Sequence, residues 1–442
     1  MIRLDYTHSL RKKTVGGISE EELESVIDTL EKMNAQIQET PYSFMELPFI
    51  QFQLKEMKEL VRLLQKRTIN DMVLLGIGGS SLGAEALFKA LLPPVHNLIR
   101  KPRYWILDNI DPHTIKMVME HIDKNRTLLV VISKSGETPE TLSQFMIFHE
   151  ALKDEPDLRE RIVVITDENK GFLRRIAERE GYFTLSVPSG VGGRFSVLSP
   201  VGIFPALIMG INVDEIFDGA KEMASHIKTK HRKENMAILI AALLYLMDKN
   251  GKKLHVIMPY CDRLSGFTEW FRQLEAESLG KEGKGPTPVS SRGVTDQHSQ
   301  LQLYIDGPKD KFIMFIFVPE DGLRIPEVFS YVPELSYFWG KKLGDLFYAE
   351  LRGTQISLCE ASVPSAEMVI EKISPYTMGA LFYLFEVAIS FFGRLIEVNP
   401  FDQPGVEKGK MYTKALMGDE GRVDIKNKLE TKATEERAIV SF

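Results

Sequence analysis

Short apolar runs alternate with amphipathic stretches along the first half of the chain. Residues 72–75, 104–107, 128–132 and 161–166 each form a brief, largely apolar run without polar alternation. Such runs are typical of strands that are buried on both faces of a parallel sheet. Because helical segments separate them, the pattern predicts βαβ units and a parallel sheet with helices on both faces.

The same alternation returns in the second half. Residues 254–258 and 312–318 predict two further strands, and residues 237–247 and 271–278 predict two helices. Ser374-Pro375 is typical of an N-cap followed by proline at the first helical position, which predicts a long helix through Gly393. A second α/β sandwich is the simplest interpretation.

The predicted fold class is therefore α/β, with two αβα sandwich domains, mainly parallel sheets and helical segments at both ends. Residues 18–38 and 50–65 have apolar side chains at helical spacing. A glycine-rich turn at residues 187–196 precedes an apolar helix and indicates a domain transition. We expect a smaller domain at 45–205 and a larger one formed by 1–44 and 206–442, including a partly helical C-terminal tail.

Composition limits the functional classes. The 442 residues are 44% hydrophobic and 26% charged, as in ordinary globular proteins. A net charge of −6 without a long basic run argues against a nucleic-acid binder, although a local pocket can still be positive. Cys261 and Cys359 lie far apart without metal-ligand spacing, which predicts a reducing compartment and no structural zinc.

We also expect a cytoplasmic protein that does not enter a membrane. The N-terminus lacks the apolar core of a signal peptide. The longest apolar helical stretches, 237–247 and 380–398, are too short or contain Glu386 and Arg394. They are more typical of buried helices.

One stretch, SKSGETP at residues 133–139, predicts an anion site. It follows a buried apolar strand and places Ser133, Lys134, Ser135 and Thr138 before Pro139, which fits the first turn of a helix. Free N–H groups at a helix N-terminus bind anions, and hydroxyls and a lysine add donors and charge. An ordinary helix cap is the alternative, but a cap needs only one hydroxyl.

A second loop, GIGGSSLG at residues 76–83, also joins a strand to a helix. Its glycines allow the backbone to approach a ligand closely. It is not a Walker A loop, and it lacks the third glycine of a dinucleotide fingerprint. Both loops follow strands, so we expect them at the carboxyl edge of one sheet, where α/β proteins bind ligands.

Four further stretches contain more directional polar groups than folding requires. They are GGR at 192–194, EAESLGK at 275–281, TDQHS at 295–299 and FDQPGVEKGK at 401–410. Each has a structural alternative: Glu277 as a solvated helix residue, His298 without a role, Lys410 on the surface, and Gly280 as a helix C-cap. The residues alone indicate a phosphate pocket with candidate acid–base groups and do not name a reaction.

Six of these motifs, in this order, resemble the glucose-6-phosphate isomerase family over most of the chain. GIGGSSLG and SKSGETPET resemble its two ligand loops, GGRFSVLSPVG and FDQPGVEKGK its signature regions, and ESLGK and TDQHS the segments with its base and histidine. Ser81, where many members have aspartate, and Ser135, in place of threonine, are mild departures.

The resemblance implies reversible aldose–ketose isomerisation of a hexose phosphate through a cis-enediolate, within glycolysis and gluconeogenesis. It assigns Glu277 as the base, Arg194 as the cation that stabilises the enediolate, and His298 and Lys410 to ring opening. It assigns phosphate binding to Ser133, Lys134, Ser135 and Thr138, and sugar binding to Gly79, Ser80 and Gln403. No metal or other cofactor is implied. A homodimer is implied, with His298 acting in the partner's site.

Two other functional classes stay open at this stage. A sugar-phosphate-sensing regulatory module could share the SKSGET loop, because binding alone needs no base. A nicotinamide-dependent dehydrogenase could use residues 76–83 with Asp108 on a ribose, although the incomplete glycine pattern argues against it.

Overall fold

Two five-stranded sheets form the framework of the computed structural model, which describes residues 1–433 and 440. The strands are β1 Ile2–Asp5, β2 Asp71–Leu75, β3 Arg103–Leu107, β4 Thr127–Ser133, β5 Ile162–Thr166, β6 Phe183–Ser186, β7 Leu254–Tyr260, β8 Thr287–Ser290, β9 Lys311–Phe317 and β10 Ser365–Ile370.

Helices cover these sheets, and the chain begins with the strand β1 before its first long helix. They are α1 Glu20–Glu39, α2 Gln51–Leu64, α3 Leu82–Leu91, α4 His96–Ile99, α5 Pro112–His121, α6 Pro139–Leu152, α7 Phe172–Glu180, α8 Pro200–Ile208, α9 Val213–Thr229, α10 Met236–Lys249, α11 Ser265–Leu279, α12 Leu301–Asp306, α13 Leu343–Glu360, α14 Pro375–Leu395, α15 Glu407–Leu416 and α16 Val423–Ala433.

The first sheet is entirely parallel, in the order β3-β2-β4-β5-β6. Every residue of β2 and β4 is buried, because helices cover both faces of the sheet. The pairs Leu75↔Val131 and Ser133↔Thr166 show that β2, β4 and β5 end at the same edge. The loops that follow these strands therefore meet there.

The second sheet has the order β1-β10-β9-β7-β8, with only β1 antiparallel to its neighbour. Every residue of β9 is buried. This sheet joins the first strand of the chain to the last, since Ile2 pairs with Ile370.

Helix α14 is the central helix of the second half, with residues 377–393 all buried. Its backbone approaches α9 closely: a Cβ on Gly379 would overlap the carbonyl of Ile216, and one on Gly219 the carbonyl of Tyr376. It is long and apolar enough to span a membrane, but 89% of its apolar window is buried inside the protein.

The predicted α/β class with two mainly parallel sheets is confirmed, as are all six predicted strands. The four strands that the pattern missed are β1, β6, β8 and β10. The first three are sheet edges of four residues each, and β10 carries a glutamate within its apolar run. The domain bounds 45–205 and 1–44 with 206–442 stay a prediction. Of the tail predicted to be partly helical, residues 434–439, 441 and 442 lie outside the described residues.

Glu386 is the one chemically unusual residue in the middle of α14. Its side chain is fully buried, and within the described chain neither carboxyl oxygen has a hydrogen-bond partner. Burial raises the pKa of this carboxyl well above its ordinary value. The folded protein therefore holds Glu386 in the neutral form, whereas in the unfolded chain the same carboxyl is ionised at neutral pH.

We expect Glu386→Gln to change how stability depends on pH. Unfolding of the native chain releases the Glu386 proton at any pH above about 4.3, the ordinary pKa of a glutamate. The free energy of unfolding of the native chain therefore falls by about 1.4 kcal/mol per pH unit until the pH passes the pKa of Glu386 in the folded protein. The variant lacks this loss, and its stability relative to the native chain should increase between pH 5 and pH 7 in denaturant titrations. Exposed Glu178 is the control, and Glu178→Gln should follow the native chain. An unchanged stability difference across this pH range for Glu386→Gln would contradict the neutral carboxyl.

Candidate active site

Two loops meet at the carboxyl edge of the first sheet, as the sequence predicted. The loop after β2 turns through a 3-10 helix, Gly78–Ser80, and enters α3. Gly78 has φ +61°, a conformation that glycine adopts without strain. The loop after β4 contains Ser133 to Thr138 and leads into α6.

A third loop packs directly on the first through two glycines. A Cβ on Gly79 would overlap the carbonyl group of Gly193 and lie 2.8 Å from the backbone N of Arg194. Only glycine at position 79 permits this approach. Arg194 is thereby held in a 3-10 helix, Gly193–Phe195, beside the glycine-rich loop.

Arg194 is a buried cation, and its residue is only 2% exposed. Its Nε donates to Ser278 Oγ at 2.8 Å, and its Nη2 donates to the carbonyls of Pro400 at 2.5 Å and Asp402 at 2.9 Å. Its Nη1 donates to Gln403 Oε1 at 3.2 Å. Burial lowers the pKa of the guanidinium, and the carboxylates of Glu277 and Asp402 oppose that shift.

Glu277 pairs with this guanidinium near the end of α11. Its Oε1 lies 3.1 Å from Arg194 Nη1, and its Oε2 accepts a hydrogen bond from Gln273 Nε2 at 2.9 Å. The Gln273 amide in turn lies against Gly78. The carboxylate is thus oriented on both oxygens while its side chain stays 26% exposed. It is a positioned carboxylate that a ligand can reach.

Glu275, two residues earlier, faces the opposite way. A separation of two residues turns a helical side chain by about 200°. Glu275 is fully buried in the core, where its Oε1 lies 2.7 Å from Nδ1 of the equally buried His255. Only Glu277 of the two therefore reaches the loops.

The loop after β4 contains a cluster of hydroxyls beside a lysine. Ser133 Oγ and Thr138 Oγ1 are 2.8 Å apart, and Ser135 Oγ accepts a hydrogen bond from the N–H of Glu137 at 3.2 Å. Thr138 precedes α6 but makes no side-chain capping bond, so the first N–H groups of α6 are not capped by it. Burial lowers the pKa of Lys134; Asp167 opposes this, and Arg194 lowers it further. The charges of Lys134 and Arg194 therefore act on the same region.

The fold brings most of the sequence-predicted residues together. Gly79 contacts the Arg194 turn, Gln403 binds the guanidinium, and half-buried Ser80 lies in the same loop as Gly79. The sequence analysis missed Gln273, which is four residues before Glu277. That spacing places both on one helix face and was the available signal.

His298 and Lys410 are not in contact with Glu277 or Arg194 within the described chain. His298 is exposed after a 3-10 helix, Thr295–Gln297, and its ring makes no hydrogen bond to residues 1–433. Lys410 lies on α15, 54% exposed, with Nζ 2.8 Å from Glu407 Oε1. Helix α15 nevertheless runs beside the loop after β4, since Lys414 lies 3.8 Å from Glu137.

Comparison with known proteins identifies the family to which this fold and this site belong. A family model described as phosphoglucose isomerase matches residues 49–302 and 356–433. The chain belongs to the phosphoglucose isomerase family. Membership makes the chain an isomerase and confirms the resemblance inferred from the six motifs.

Individual proteins of known sequence or structure are similar to this chain over most of their length. The chain is 40% identical to a glucose-6-phosphate isomerase of Carboxydothermus hydrogenoformans, over 86% of this chain and 85% of that one. It is 39% identical to a glucose-6-phosphate isomerase of Rubrobacter xylanophilus, over 95% and 99% of the two chains. Among solved structures, a hypothetical protein from Thermus thermophilus superimposes with a TM-score of 0.85 and 34% identity, covering 95% of this chain and all of that one.

Gly79→Ala tests the contact on which the candidate site of this phosphoglucose isomerase family member is built. The added Cβ cannot fit against the Gly193 carbonyl, so the two loops must separate. We expect the free energy of unfolding to fall by about 1–3 kcal/mol, together with a loss of isomerase activity. Gly353→Ala is the matched control, because Gly353 lies within α13 and its Cβ would meet nothing within 4 Å. Equal effects of both substitutions in thermal unfolding and activity assays would show that the contact is not required.

Proposed function

We propose that the chain interconverts glucose 6-phosphate and fructose 6-phosphate through a cis-enediolate. Its relatives bear the name glucose-6-phosphate isomerase, which supports this substrate pair. The observation that carries the proposal is the pair of Glu277 and Arg194, 3.1 Å apart beside the two ligand loops. A positioned base next to a fixed cation is what proton transfer beside a carbonyl needs.

Glu277 acts as the single base. The reaction moves a proton between C2 and C1 on one face of the enediolate, so one carboxylate can take the proton and return it. Arg194 and Gln273 hold its two oxygens, which fixes the direction in which the remaining lone pairs point. The partial exposure of the side chain leaves those lone pairs accessible to the sugar.

Arg194 stabilises the enediolate. Negative charge develops on the sugar oxygens as the proton leaves, and a cation in a water-poor site stabilises it strongly. The guanidinium needs no reorganisation, because protein groups hold Nε, Nη1 and Nη2 before substrate arrives. Nη1 faces Glu277, so the cation and the base act on the same part of the substrate.

The remaining groups bind the two ends of the substrate. Ser133, Ser135 and Thr138 supply hydroxyl donors, Lys134 supplies charge, and the N-terminus of α6 supplies N–H groups for the phosphate. Gly79, Ser80 and Gln403 line the part of the site that binds the sugar. Gly79 packs against the Arg194 turn, and Gln403 already contacts Arg194. The binding energy of the phosphate then holds C1 and C2 beside Glu277.

His298 and Lys410 assist ring opening, a proton exchange between the ring oxygen and the neighbouring hydroxyl. We propose a homodimer in which His298 enters the partner's site. Its exposure and its lack of hydrogen bonds within residues 1–433 support an imidazole that acts outside its own subunit. The segment after β9 also exposes apolar side chains that a second copy would cover. They are Leu323, Phe329, Tyr331 and Tyr337.

The proposed reaction needs no metal or cofactor, because a base, a cation and hydrogen-bond donors suffice. It belongs to glycolysis and gluconeogenesis, which implies the cytoplasm. A sugar-phosphate sensor would not need an oriented carboxylate against a buried guanidinium. A nicotinamide dehydrogenase is disfavoured by family membership and by the incomplete glycine fingerprint.

Glu277→Gln should keep substrate binding and lose catalysis by about 10²-fold or more, because an amide cannot accept the C2 proton. The measurements are kcat with fructose 6-phosphate and exchange of the C2 proton with solvent, which should fall in parallel. Glu282→Gln, an exposed substitution beyond the end of α11, serves as the control and should leave both rates unchanged. Near-normal exchange in folded Glu277→Gln would assign the base elsewhere.

Mixed dimers test the trans role of His298. Differently tagged Glu277→Gln and His298→Ala chains are co-expressed, and the heterodimer is purified. If the two residues come from different chains, one site carries both defects and the other none, so activity should be about half that of the native dimer. If they act within one chain, each site carries one defect and the heterodimer stays nearly inactive. A monomer in sedimentation at assay concentration would also refute the trans arrangement.

A further inference from the structure

A second cation, the partly buried Lys281, lies beside Arg194 and has no part in the mechanism above. It follows the end of α11, and its side chain is 9% exposed. Its Nζ donates to the carbonyls of Ser278 at 2.8 Å and Asn399 at 2.5 Å, and lies 3.4 Å from Asp402 Oδ1. A lysine this deeply placed needs such partners, because an unpaired buried charge is costly.

Lys281 holds the same segment that binds Arg194. Arg194 Nη2 donates to the carbonyls of Pro400 and Asp402, and Lys281 donates to the carbonyl of Asn399. Within the segment, Asn399 Nδ2 donates to Asp402 Oδ2 at 3.0 Å, and the N–H of Phe401 donates to Asn399 Oδ1 at 3.1 Å. Residues 399–402 thus form a turn that both cations contact.

Lys281 also provides a cation for Asp402, the second carboxylate near Arg194. Asp402 attracts both cations, and its Oδ1 lies next to Lys281. Within residues 1–433 the only ion pair of Arg194 is with Glu277. Without Lys281, the Asp402 carboxylate would have one cation nearby in place of two, and that cation is the catalytic guanidinium.

The pKa of Lys281 reflects its burial and the charged groups around it. Burial lowers this pKa, Arg194 lowers it further, and Asp402 and Glu277 oppose the change. The four groups therefore form one electrostatic set, with two cations and two carboxylates. Each cation has its own carboxylate neighbour: Glu277 for Arg194 and Asp402 for Lys281.

We infer that Lys281 is a positioning residue that holds residues 399–402 and Asp402 so that the Arg194 guanidinium stays aligned with Glu277. The inference rests on the isomerase function proposed above and adds a residue that does not itself touch substrate. It predicts that loss of Lys281 impairs the chemical step more than it impairs substrate binding, because the phosphate loop is untouched.

Lys281→Met removes the charge and the donors while keeping much of the side-chain volume. Lys284→Met is the matched control. Lys284 Nζ donates to the carbonyl of Ile396 at 2.9 Å, at the C-terminal end of α14, and does not reach residues 399–402. We expect kcat of Lys281→Met to fall by about 10- to 100-fold, as for a small misalignment of a catalytic group, with KM nearly unchanged. Lys284→Met should keep the native kcat, and Lys281→Arg should recover most of the loss.

Hydrogen exchange of the substrate-free protein gives a readout that does not depend on activity. The amide of Phe401, which donates to Asn399 Oδ1, should exchange faster in Lys281→Met than in the native chain, and at the native rate in Lys284→Met. Native exchange in Lys281→Met, or equal losses of kcat in the two methionine variants, would overturn the inference. If Lys281→Met does not fold, Lys281→Gln, which keeps donors without charge, carries the same expectations. Absence of isomerase activity in the native chain would instead refute the proposed function.

Discussion

Burial of the Arg194 guanidinium is the constraint on which the site depends. Removing a cation from water is costly unless protein groups replace its hydration. Here the replacements come from the end of α11, through Ser278 and Glu277, and from Pro400, Asp402 and Gln403. The charge therefore joins three parts of the chain that lie far apart in sequence, and in the proposed mechanism its desolvation makes it effective toward an enediolate.

The two sheets hold the groups around Arg194 in place. The all-parallel first sheet brings the loops after β2 and β4 to one edge, and the backbone contact of Gly79 with Gly193 adds the Arg194 turn to them. The second sheet and α14 support α11, whose aromatic residues pack on α14: Phe271 and Phe385 have ring centroids 5.2 Å apart. Glu277, from the second half of the chain, is thus placed beside Arg194, from the first half.

Much of the fold was predictable because the core strands obey a local rule. A strand covered by helices on both faces is largely apolar, and β2, β4, β5, β7 and β9 follow this rule, with their polar residues mainly at the strand ends. Edge strands are under weaker demands, so β1, β6 and β8 carry exposed or half-buried residues and were missed. The loop chemistry was also visible, since hydroxyls, glycines and a helix-starting proline act over a few residues.

The sequence by itself determined the α/β class, the family, the candidate anion loop at Ser133–Thr138 and the identities of the other candidate residues. It did not distinguish Glu277 from Glu275 without the resemblance, because both are glutamates on one helix and only packing decides which faces the core. The spacing of Gln273 and Glu277 on one helix face was visible locally, but the sequence did not indicate that Lys281 holds the segment around Arg194. The bond of Lys281 to Asn399 joins residues 118 positions apart, and that of Arg194 to Ser278 joins residues 84 positions apart. Local propensity acts over one helical turn, whereas tertiary packing alone brings such distant groups within hydrogen-bond distance.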